Sequence, residues 1–283
     1  MIDIHSHLLP GVDDGARNRD ESLAMLRIAA TDGIRTIVAT PHYRAIDPGL
    51  PMIAGAALRI VRKHVEQEDL PIQVLGGFEL SITPKLSERS DELRGLGLNG
   101  SRYLLVEGPE QFWPAYVEAE LFGLQASGLR PILAHAERYH ALDDDIERAA
   151  TLAGRDILLQ VNASSLTGCN GRRQEQLARE LVRRGIVSFI ASDSHSKRSR
   201  TPLIHQGART AARLIGNEAA EALVGDNPHA ALSDCEMPAP PPIRRYRFFS
   251  ISPRKRTIRA DSRLIPEHPA VLRKAVLGSE SGG

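Results

Sequence analysis

The sequence predicts an α/β protein with a parallel β-sheet, and a barrel is the favoured form of that sheet. Short β-rich runs alternate with segments of helical spacing along most of the 283 residues, and several of the runs are almost continuously apolar. Parallel neighbours need a crossover connection, which a helix usually supplies, and apolar strands suit a sheet covered on both faces. A closed barrel and a doubly wound open sheet both fit. Seven strands slightly favour a barrel with an irregular or missing unit.

Seven strand candidates follow one another along the chain. In order they are MIDIH, RTIVAT, IQVLGGFEL, RYLLVEGP, PILAHAER, DILLQVNAS and IVSFIASDSH. Apolar residues at helical spacing predict helices between them at 23–33, 52–66, 115–127, 145–153 and 172–184, with a further helical stretch around 206–224.

The composition is that of a globular protein. Hydrophobic residues make up 42% and charged residues 25%, which excludes wholesale disorder. No apolar run reaches the length of a membrane span, and the N-terminus lacks the features of a signal peptide, so we expect a cytoplasmic protein. Cys169 and Cys235 are too few for a disulfide framework and are expected to be free thiols.

A domain boundary is predicted near residue 238. Four of the six residues 237–242 are proline, a density that favours an extended linker. Residues 240–283 then hold ten Lys/Arg and three Asp/Glu, which leaves 26 basic and 32 acidic residues in the body. We therefore predict a catalytic domain over 1–237, followed by a proline-rich linker and a flexible, disordered basic tail over 238–283.

The first strand run carries two histidines on one side. His5 and His7 are two residues apart in MIDIHSHLLPGVDDGA, and side chains two apart on a strand point the same way. This pair alone is a weak signal, because a polar pair at a strand end has the same appearance. The residues at the ends of the other strands show whether the pair belongs to a metal site.

Six of the seven strand runs end in His, Asp or Glu, the side chains that bind divalent metals. The carboxyl ends of parallel strands meet at one face, where the active sites of barrels are built. We therefore predict a multinuclear metal site at that face. The candidate ligands are His5, His7, Asp14, His42, Glu79, Glu107, His135, Asp193 and His195, with the role of Asp13 left open.

The ligand types and their number indicate which metals to expect. Imidazoles and carboxylates without a thiolate disfavour a structural zinc site and suit Mn²⁺, Fe²⁺ or catalytic Zn²⁺, with Mg²⁺ and Co²⁺ as further choices. Nine donors exceed one coordination sphere, so two or three ions are expected, with one carboxylate bridging. Carboxylates gathered this closely would also repel one another unless cations neutralised them.

Divalent ions in such a cluster suit the hydrolysis of phosphate esters, because they activate water and neutralise phosphoryl oxygens. Arg138 in HAERYH and Arg200 in SHSKRSRTP stand beside ligand strands, and a guanidinium matches phosphate oxygens. Two other routes are excluded. A Cys-x5-Arg loop would need arginine at positions held by Glu175 and Pro241, and no GxxxxGK[ST] loop is present for ATP hydrolysis.

These motifs resemble a known group. DIHSHLLPGVDDGA, TPHY, GGFEL, LLVEGP, LAHAERY and ASDSH are similar to motifs of the PHP (polymerase and histidinol phosphatase) superfamily. The branch that they resemble is the CpsB/CapC type, the bacterial manganese-dependent protein-tyrosine phosphatases of capsule and exopolysaccharide operons. The likeness covers residues 1 to about 230.

The resemblance implies a distorted seven-stranded β/α barrel, TIM-like, that holds three metals. By position, His5, His7, Glu79 and Asp193 would hold one ion, Glu79, Glu107 and His135 a second, and Asp14, His42 and His195 a third. Arg138 and Arg200 would hold the phosphate. A metal-activated hydroxide would attack phosphorus, with His42 or His195 protonating the leaving phenolate.

The implied substrate is the phosphotyrosine tail of a membrane-associated tyrosine autokinase that regulates polysaccharide export. The extension after residue 237 departs from the family pattern, and it either contacts anionic lipid weakly or has no role. A histidinol-phosphate-like phosphatase, a nuclease and a catalytically idle regulatory module are the alternatives. Nucleic acid is not expected as a partner, because the body is acidic and aromatic residues make up only 4%. The sequence leaves the oligomeric state undetermined.

Overall fold

The computed structural model describes residues 1–44 and 49–241. The strands in these ranges are β1 (Ile2–Ser6), β2 (Thr36–Ala39), β3 (His42–Tyr43), β4 (Gln73–Gly76), β5 (Glu79–Ser81), β6 (Tyr103–Glu107), β7 (Arg130–Leu133), β8 (Leu158–Asn162) and β9 (Phe189–Ala191). The helices are α1 (Arg19–Asp32), α2 (Leu50–Gln67), α3 (Ser90–Leu93), α4 (Ala115–Ala126), α5 (His140–Asp144), α6 (Ile146–Gly154), α7 (Ala163–Leu166), α8 (Arg172–Arg184), α9 (His205–Ile215), α10 (Asn217–Ala222) and α11 (Asp226–Leu232).

The strands pair in parallel around a closed ring. β1 pairs with β2 and β2 with β4, while β3 pairs with β5 and the order continues through β6, β7 and β8 to β9. Ser6 bridges to Ser194, and the Asp193 N–H donates to the His5 carbonyl oxygen at 2.9 Å, so β1 and β9 meet. The barrel prediction is confirmed, and the open sheet is excluded.

The seven-stranded pattern is distorted at two places: the predicted strand IQVLGGFEL is broken in the middle, and RTIVAT is followed at once by a second short strand. RTIVAT and the following PHY form β2 and β3, separated at Thr40 and Pro41, and IQVLGGFEL forms β4 and β5. Proline has no N–H to donate to a ladder. A Cβ on Gly77 would lie 3.1 Å from the Cα of Leu98, so the second break also carries a close backbone approach. His42, which follows the predicted strand RTIVAT, begins β3.

The predicted helices are present with small shifts in their bounds. α1 begins at Arg19, where the Asn18 side chain accepts from the Glu21 N–H, and Gly33 ends it at a φ of 93°. The stretch predicted at 206–224 is divided into α9 and α10 at Gly216. The short helices α3, α5, α7 and α11 were missed, because four to seven residues are too few for a periodic pattern.

Apolar side chains fill the barrel and separate it from the helices. Along β8 and β9, Leu158 and Phe189 face the interior, while Leu159 and Ile190 pack under the surrounding helices. α11 supplies Ala231 and Leu232 to the interior cluster. Alternation along a strand directs every second residue inward, and the inward positions become polar towards the carboxyl ends.

The chain stays against the barrel after α11. Tyr103 Oη donates to the Cys235 carbonyl oxygen at 2.5 Å, and Met237 packs against the interior cluster. Both cysteines are free and exposed, as expected. The predicted tail lies outside the described residues from 242 onward. Within the described ranges, none of the helices has the length and apolar character needed to cross a bilayer.

Candidate metal centre

The predicted donors meet at the carboxyl ends of the strands, around Glu79. Its two oxygens lie 3.0 Å from His135 Nε2 and 2.9 Å from His42 Nδ1. They also lie 3.3 Å from His5 Nε2 and 3.4 Å from His7 Nε2. A single buried carboxylate thus contacts four imidazoles, the position that a bridging ligand would occupy.

The remaining donors surround this centre. Asp193 Oδ1 lies 3.5 Å from the Nε2 atoms of both His5 and His7, and Glu107 Oε1 lies 3.3 Å from His42 Nδ1. On the exposed side, Asp14 Oδ1 is 3.3 Å from His42 Nε2 and 3.6 Å from His195 Nε2. All nine predicted ligands therefore belong to one cluster.

Three groups of donors among the described residues are close enough to share an ion. They are His5, His7 and Asp193; His7, Asp14, His42 and His195; and His42, Glu79 and Glu107. This grouping differs from the predicted one in three respects, the first being that Glu79 is absent from the group of His5, His7 and Asp193. His7 lies within reach of two groups, and His42 joins Glu79 and Glu107 where the resemblance implied His135.

Buried donor atoms without hydrogen bonds indicate that the cluster fits divalent cations. Among the described residues, His195 Nε2 has no hydrogen-bond partner, and His42 Nδ1 and Glu79 Oε2 form no hydrogen bond although they lie 2.9 Å apart. Leaving such atoms unsatisfied in a protein interior is costly, and ligation of a cation would satisfy them. The donors are nitrogen and oxygen only, which matches the predicted metals.

The pKa values show how the cluster balances its charge with protons. Burial opposes the charging of His5, but Glu79 and Asp193 outweigh it and raise the pKa to about 9. Glu107 and Glu79 likewise outweigh burial at His42 and raise its pKa to about 10. Burial and the neighbouring His7 lower the pKa of His195 to about 4. Cations and protons therefore compete for this site.

The loop after β1 folds back over His7 and answers the question left open for Asp13. His7 Nδ1 donates to Asp13 Oδ2 at 2.7 Å, and the His42 N–H donates to the same oxygen at 3.1 Å. Asp13 thereby orients His7 with Nε2 towards the cluster. A Cβ on Gly15 would lie 1.9 Å from the His7 carbonyl oxygen, so only glycine permits this turn.

Two candidate ligands occupy an unusual backbone conformation. His135 has a φ of 36° and Asp193 a φ of 51°, both in the left-handed region that non-glycine residues rarely adopt. Such conformations persist where surrounding contacts hold them, typically at functional sites. They mark the points where β7 and β9 turn towards the cluster.

Both predicted phosphate-binding arginines lie beside Asp193. Arg200 Nη2 is 2.6 Å from Asp193 Oδ1, and Arg138 Nη1 is 3.3 Å from Asp193 Oδ2. Arg138 also pairs with Glu110, with Nη2 and Oε1 2.6 Å apart. The two side chains are 28% and 40% exposed, so an anion at the cluster can reach them. Glu110 gave no signal in the sequence, because nothing there links it to Arg138.

Three buried polar residues that contact the donors, Asp3, Gln160 and Asn162, were not predicted as part of the site. Asp3 accepts from the N–H groups of His5 and Ser192, as a structural residue would, and burial raises its pKa to about 6. Gln160 and Asn162, on the one strand without a candidate ligand, hydrogen-bond to His5 and Asp193. Their spacing of two on a strand was the available signal.

A parallel barrel with nitrogen and oxygen donors at the carboxyl ends of its strands defines the class of metal-dependent barrel hydrolases. Within that class, the chain belongs to the family of capsular polysaccharide synthesis proteins CpsB/CapC, whose family model matches residues 1–233. The family predicted from the motifs is thus confirmed.

This chain matches two tyrosine-protein phosphatases over nearly their whole length. The tyrosine-protein phosphatase YwqE of Bacillus subtilis is 30% identical over 251 residues, which is 88% of this chain and 99% of YwqE. The tyrosine-protein phosphatase CpsB of Streptococcus pneumoniae is 31% identical over 241 residues, 83% of this chain and 99% of CpsB. A crystal structure from work on these two proteins, described as metal-dependent tyrosine phosphatases, superposes with a TM-score of 0.79 at 30% identity, covering 87% of this chain and all of that one.

Proposed function

We propose that this protein is a metal-dependent protein-tyrosine phosphatase that acts in capsular or exopolysaccharide synthesis. The observation that carries the proposal is the placement of two arginines against Asp193, at the edge of a nine-residue donor cluster. Cationic side chains next to a cation site suit an anionic phosphate ester. The family membership and the activities of YwqE and CpsB support the same reaction.

The nine donors would hold two or three divalent ions, and we propose Mn²⁺ as the physiological choice. Glu79 would be the carboxylate shared between ions, because it contacts four imidazoles. When bound, the ions supply a nucleophile at neutral pH and neutralise charge on the phosphoryl group. The protein contributes the fixed arrangement of donors and, through Asp13, the orientation of His7.

Arg138 and Arg200 would bind the non-bridging phosphate oxygens. To do so they must exchange contacts with Asp193 and Glu110 for contacts with phosphate. The guanidinium groups remain charged at any physiological pH, so the exchange costs no proton. His42 and His195, the two predicted proton donors to the leaving phenolate, both lie at the partly open side of the cluster. His42 is the better acid of the two, because its pKa is raised to about 10 whereas that of His195 is lowered to about 4.

A phosphotyrosine side chain is long enough to carry its phosphate to these buried donors. The ring of Trp113 packs edge-on against Tyr139 at 5.3 Å between centroids, and Tyr139 lies 5.9 Å from the His135 ring. Tyr139 is fully buried, so only the partly exposed Trp113, which packs on it, would form one wall for the phenyl ring. The physiological substrate that we propose is the phosphotyrosine tail of a membrane-associated tyrosine kinase.

A substrate panel tests this function. The Mn²⁺-loaded protein is assayed with a phosphotyrosine peptide, histidinol phosphate and single-stranded DNA, each repeated with EDTA. We expect metal-dependent phosphate release from the peptide far above that from the other two. Preference for histidinol phosphate would identify a small-molecule phosphatase instead. Cleavage of the DNA would identify a nuclease, and the absence of any reaction would identify a catalytically idle regulatory module.

The role of residues 242–283 stays a prediction, since they lie outside the described residues. Contact of their basic side chains with anionic lipid would keep the enzyme near a membrane-bound substrate, each contributing on the order of 1 kcal/mol. Co-sedimentation with vesicles containing phosphatidylserine should then fall when residues 242–283 are deleted. Equal sedimentation of both proteins would contradict lipid contact.

A further inference from the structure

β8 is the one predicted strand that supplies no candidate ligand, yet its inward side chains are polar. Leu158 belongs to the apolar interior, and Gln160 and Asn162 follow on the same face towards the metal centre. Gln160 is 0% exposed and Asn162 3%. Buried amides at successive inward positions of a strand require hydrogen bonds with defined partners.

The two amides form a chain of hydrogen bonds beneath the donors. Gln160 Oε1 lies 3.1 Å from His5 Nδ1 and accepts from the His135 N–H at 2.9 Å. Gln160 Nε2 donates to Asn162 Oδ1 at 2.8 Å, and Asn162 Nδ2 donates to Asp193 Oδ2 at 2.8 Å. The chain therefore joins three of the candidate ligands.

The direction of this chain is fixed at both ends. The backbone N–H of His135 can only donate, so it must face the oxygen of Gln160, which turns the nitrogen of Gln160 towards Asn162 Oδ1. Asn162 then presents its nitrogen to Asp193, whose carboxylate can only accept when ionised. Reversing either amide would place two donors or two acceptors against each other.

This direction determines which nitrogen of His5 is protonated. Because Gln160 presents an acceptor, His5 Nδ1 must carry a hydrogen, and the neutral imidazole then keeps its lone pair on Nε2, 3.5 Å from Asp193 Oδ1. At Asp193, Asn162 and Arg138 contact Oδ2, while Oδ1 faces His5 and His7 and also pairs with Arg200.

We propose that Gln160 and Asn162 are positioning residues for the metal centre, which set the tautomer of His5 and orient the carboxylate of Asp193. The inference rests on the proposed metal site, and it assigns a task to a strand that provides no ligand. Amides suit the task because they add a donor and an acceptor to a crowded group of carboxylates without adding charge.

The experiment measures Co²⁺ binding rather than turnover. The full-length protein is stripped with EDTA and dialysed, and its Co²⁺ affinity is measured by competition with a chelator while the visible absorption of the bound ion is recorded. Gln160→Met removes the acceptor from His5 at nearly constant volume and should weaken Co²⁺ binding about 10–100-fold with an altered spectrum. Gln160→Glu keeps an acceptor for His5 and His135 but sets an oxygen against Asn162 Oδ1, so it should weaken Co²⁺ binding less than Gln160→Met does.

Asn227→Leu is the matched control. It removes an amide hydrogen bond to the Ser188 carbonyl oxygen, 2.9 Å long, which lies before β9 at the opposite end of the barrel. Its Co²⁺ affinity and spectrum should equal those of the wild type. Circular dichroism of the metal-free proteins monitors folding. If Gln160→Met is unfolded, Asn162→Ala takes its place, since it leaves Gln160 beside His5 while removing the donor to Asp193, and it should weaken binding about 10-fold.

Wild-type affinity and spectrum in a folded Gln160→Met or Asn162→Ala would overturn the inference, as would equal weakening by Asn227→Leu. Hydrolysis of a phosphotyrosine peptide by the wild type is measured separately. Weakened Co²⁺ binding without such hydrolysis in the wild type would leave the positioning role intact and refute the proposed function. Hydrolysis by the wild type, together with unweakened Co²⁺ binding in the variants, would support the proposed function and refute the positioning role.

Discussion

At the carboxyl ends of its strands the barrel gathers five histidines with four carboxylates, whereas nearer the amino ends the same strands direct apolar side chains inward. The interior cluster around Leu105, Ile132 and Phe189 needs no partner beyond close packing. The donor cluster leaves atoms such as Glu79 Oε2 without a hydrogen bond and places His135 and Asp193 in left-handed conformations. One end therefore stabilises the fold, and the other is held in a costly arrangement that the fold supports.

The sharpest test of this contrast is removal of the central carboxylate. Glu79→Gln preserves the size of the side chain and takes away the charge that four imidazoles contact. We expect phosphotyrosine peptide hydrolysis to fall by at least about 10³-fold, because the bridging donor is lost. Steady-state kinetics with Mn²⁺, together with measured metal content, provide the check. Activity near that of the wild type would remove Glu79 from the centre.

The apolar end should respond in the opposite way. Phe189→Ala empties space in the barrel interior and should lower the free energy of unfolding by about 3–5 kcal/mol. Turnover per folded molecule should change little, since Phe189 belongs to the apolar interior cluster and is not one of the donors. Urea denaturation gives the first quantity and active-site titration with kinetics the second. A large loss of turnover in the folded fraction would mean that the two ends are coupled.

Loss of an arginine should weaken the reaction less than loss of the bridging carboxylate. Arg138→Lys keeps the charge and loses the paired guanidinium donors, so we expect kcat/KM to fall about 10–100-fold. Arg155→Lys, on the surface after α6, is the matched control and should match the wild type. An unchanged kcat/KM in Arg138→Lys would show that phosphate does not depend on this side chain.

The smallest effect concerns the metal-free protein and its pH dependence. The folded-state pKa values of His5 and His42, about 9 and about 10, exceed the ordinary value of 6.5. Between pH 7 and 10 the folded state therefore binds more protons than the unfolded state, and its stability falls as pH rises.

Thermal denaturation in EDTA from pH 6.5 to 10 measures this trend. Mn²⁺ affinity should move the opposite way and increase with pH, because protons leave the imidazoles. Glu79→Gln should flatten the stability trend, since Glu79 helps to raise both histidine pKa values. A metal-free protein whose stability rises over this range would contradict the predicted charge balance.

Local patterns were sufficient to predict most of the architecture. Alternating strand runs and helical periods predicted the parallel barrel, and the His, Asp and Glu residues at strand ends predicted the metal centre. Those residues were readable because parallel topology alone brings strand ends to one face. The breaks at Thr40–Pro41 and Gly77–Phe78 were not readable, because an interrupted ladder depends on what the neighbouring strand offers.

By itself, the sequence determined the class of fold and the set of donors, since both follow from residue types at regular spacing, and the resemblance of its motifs indicated the family. Only the tertiary structure decided how those donors are grouped and which carboxylate oxygen orients His7. It also showed that Glu110 pairs with Arg138 and that Gln160 and Asn162 link His5 to Asp193. These contacts join residues far apart in the chain at hydrogen-bond distance, and such distances depend on packing rather than on spacing along a strand.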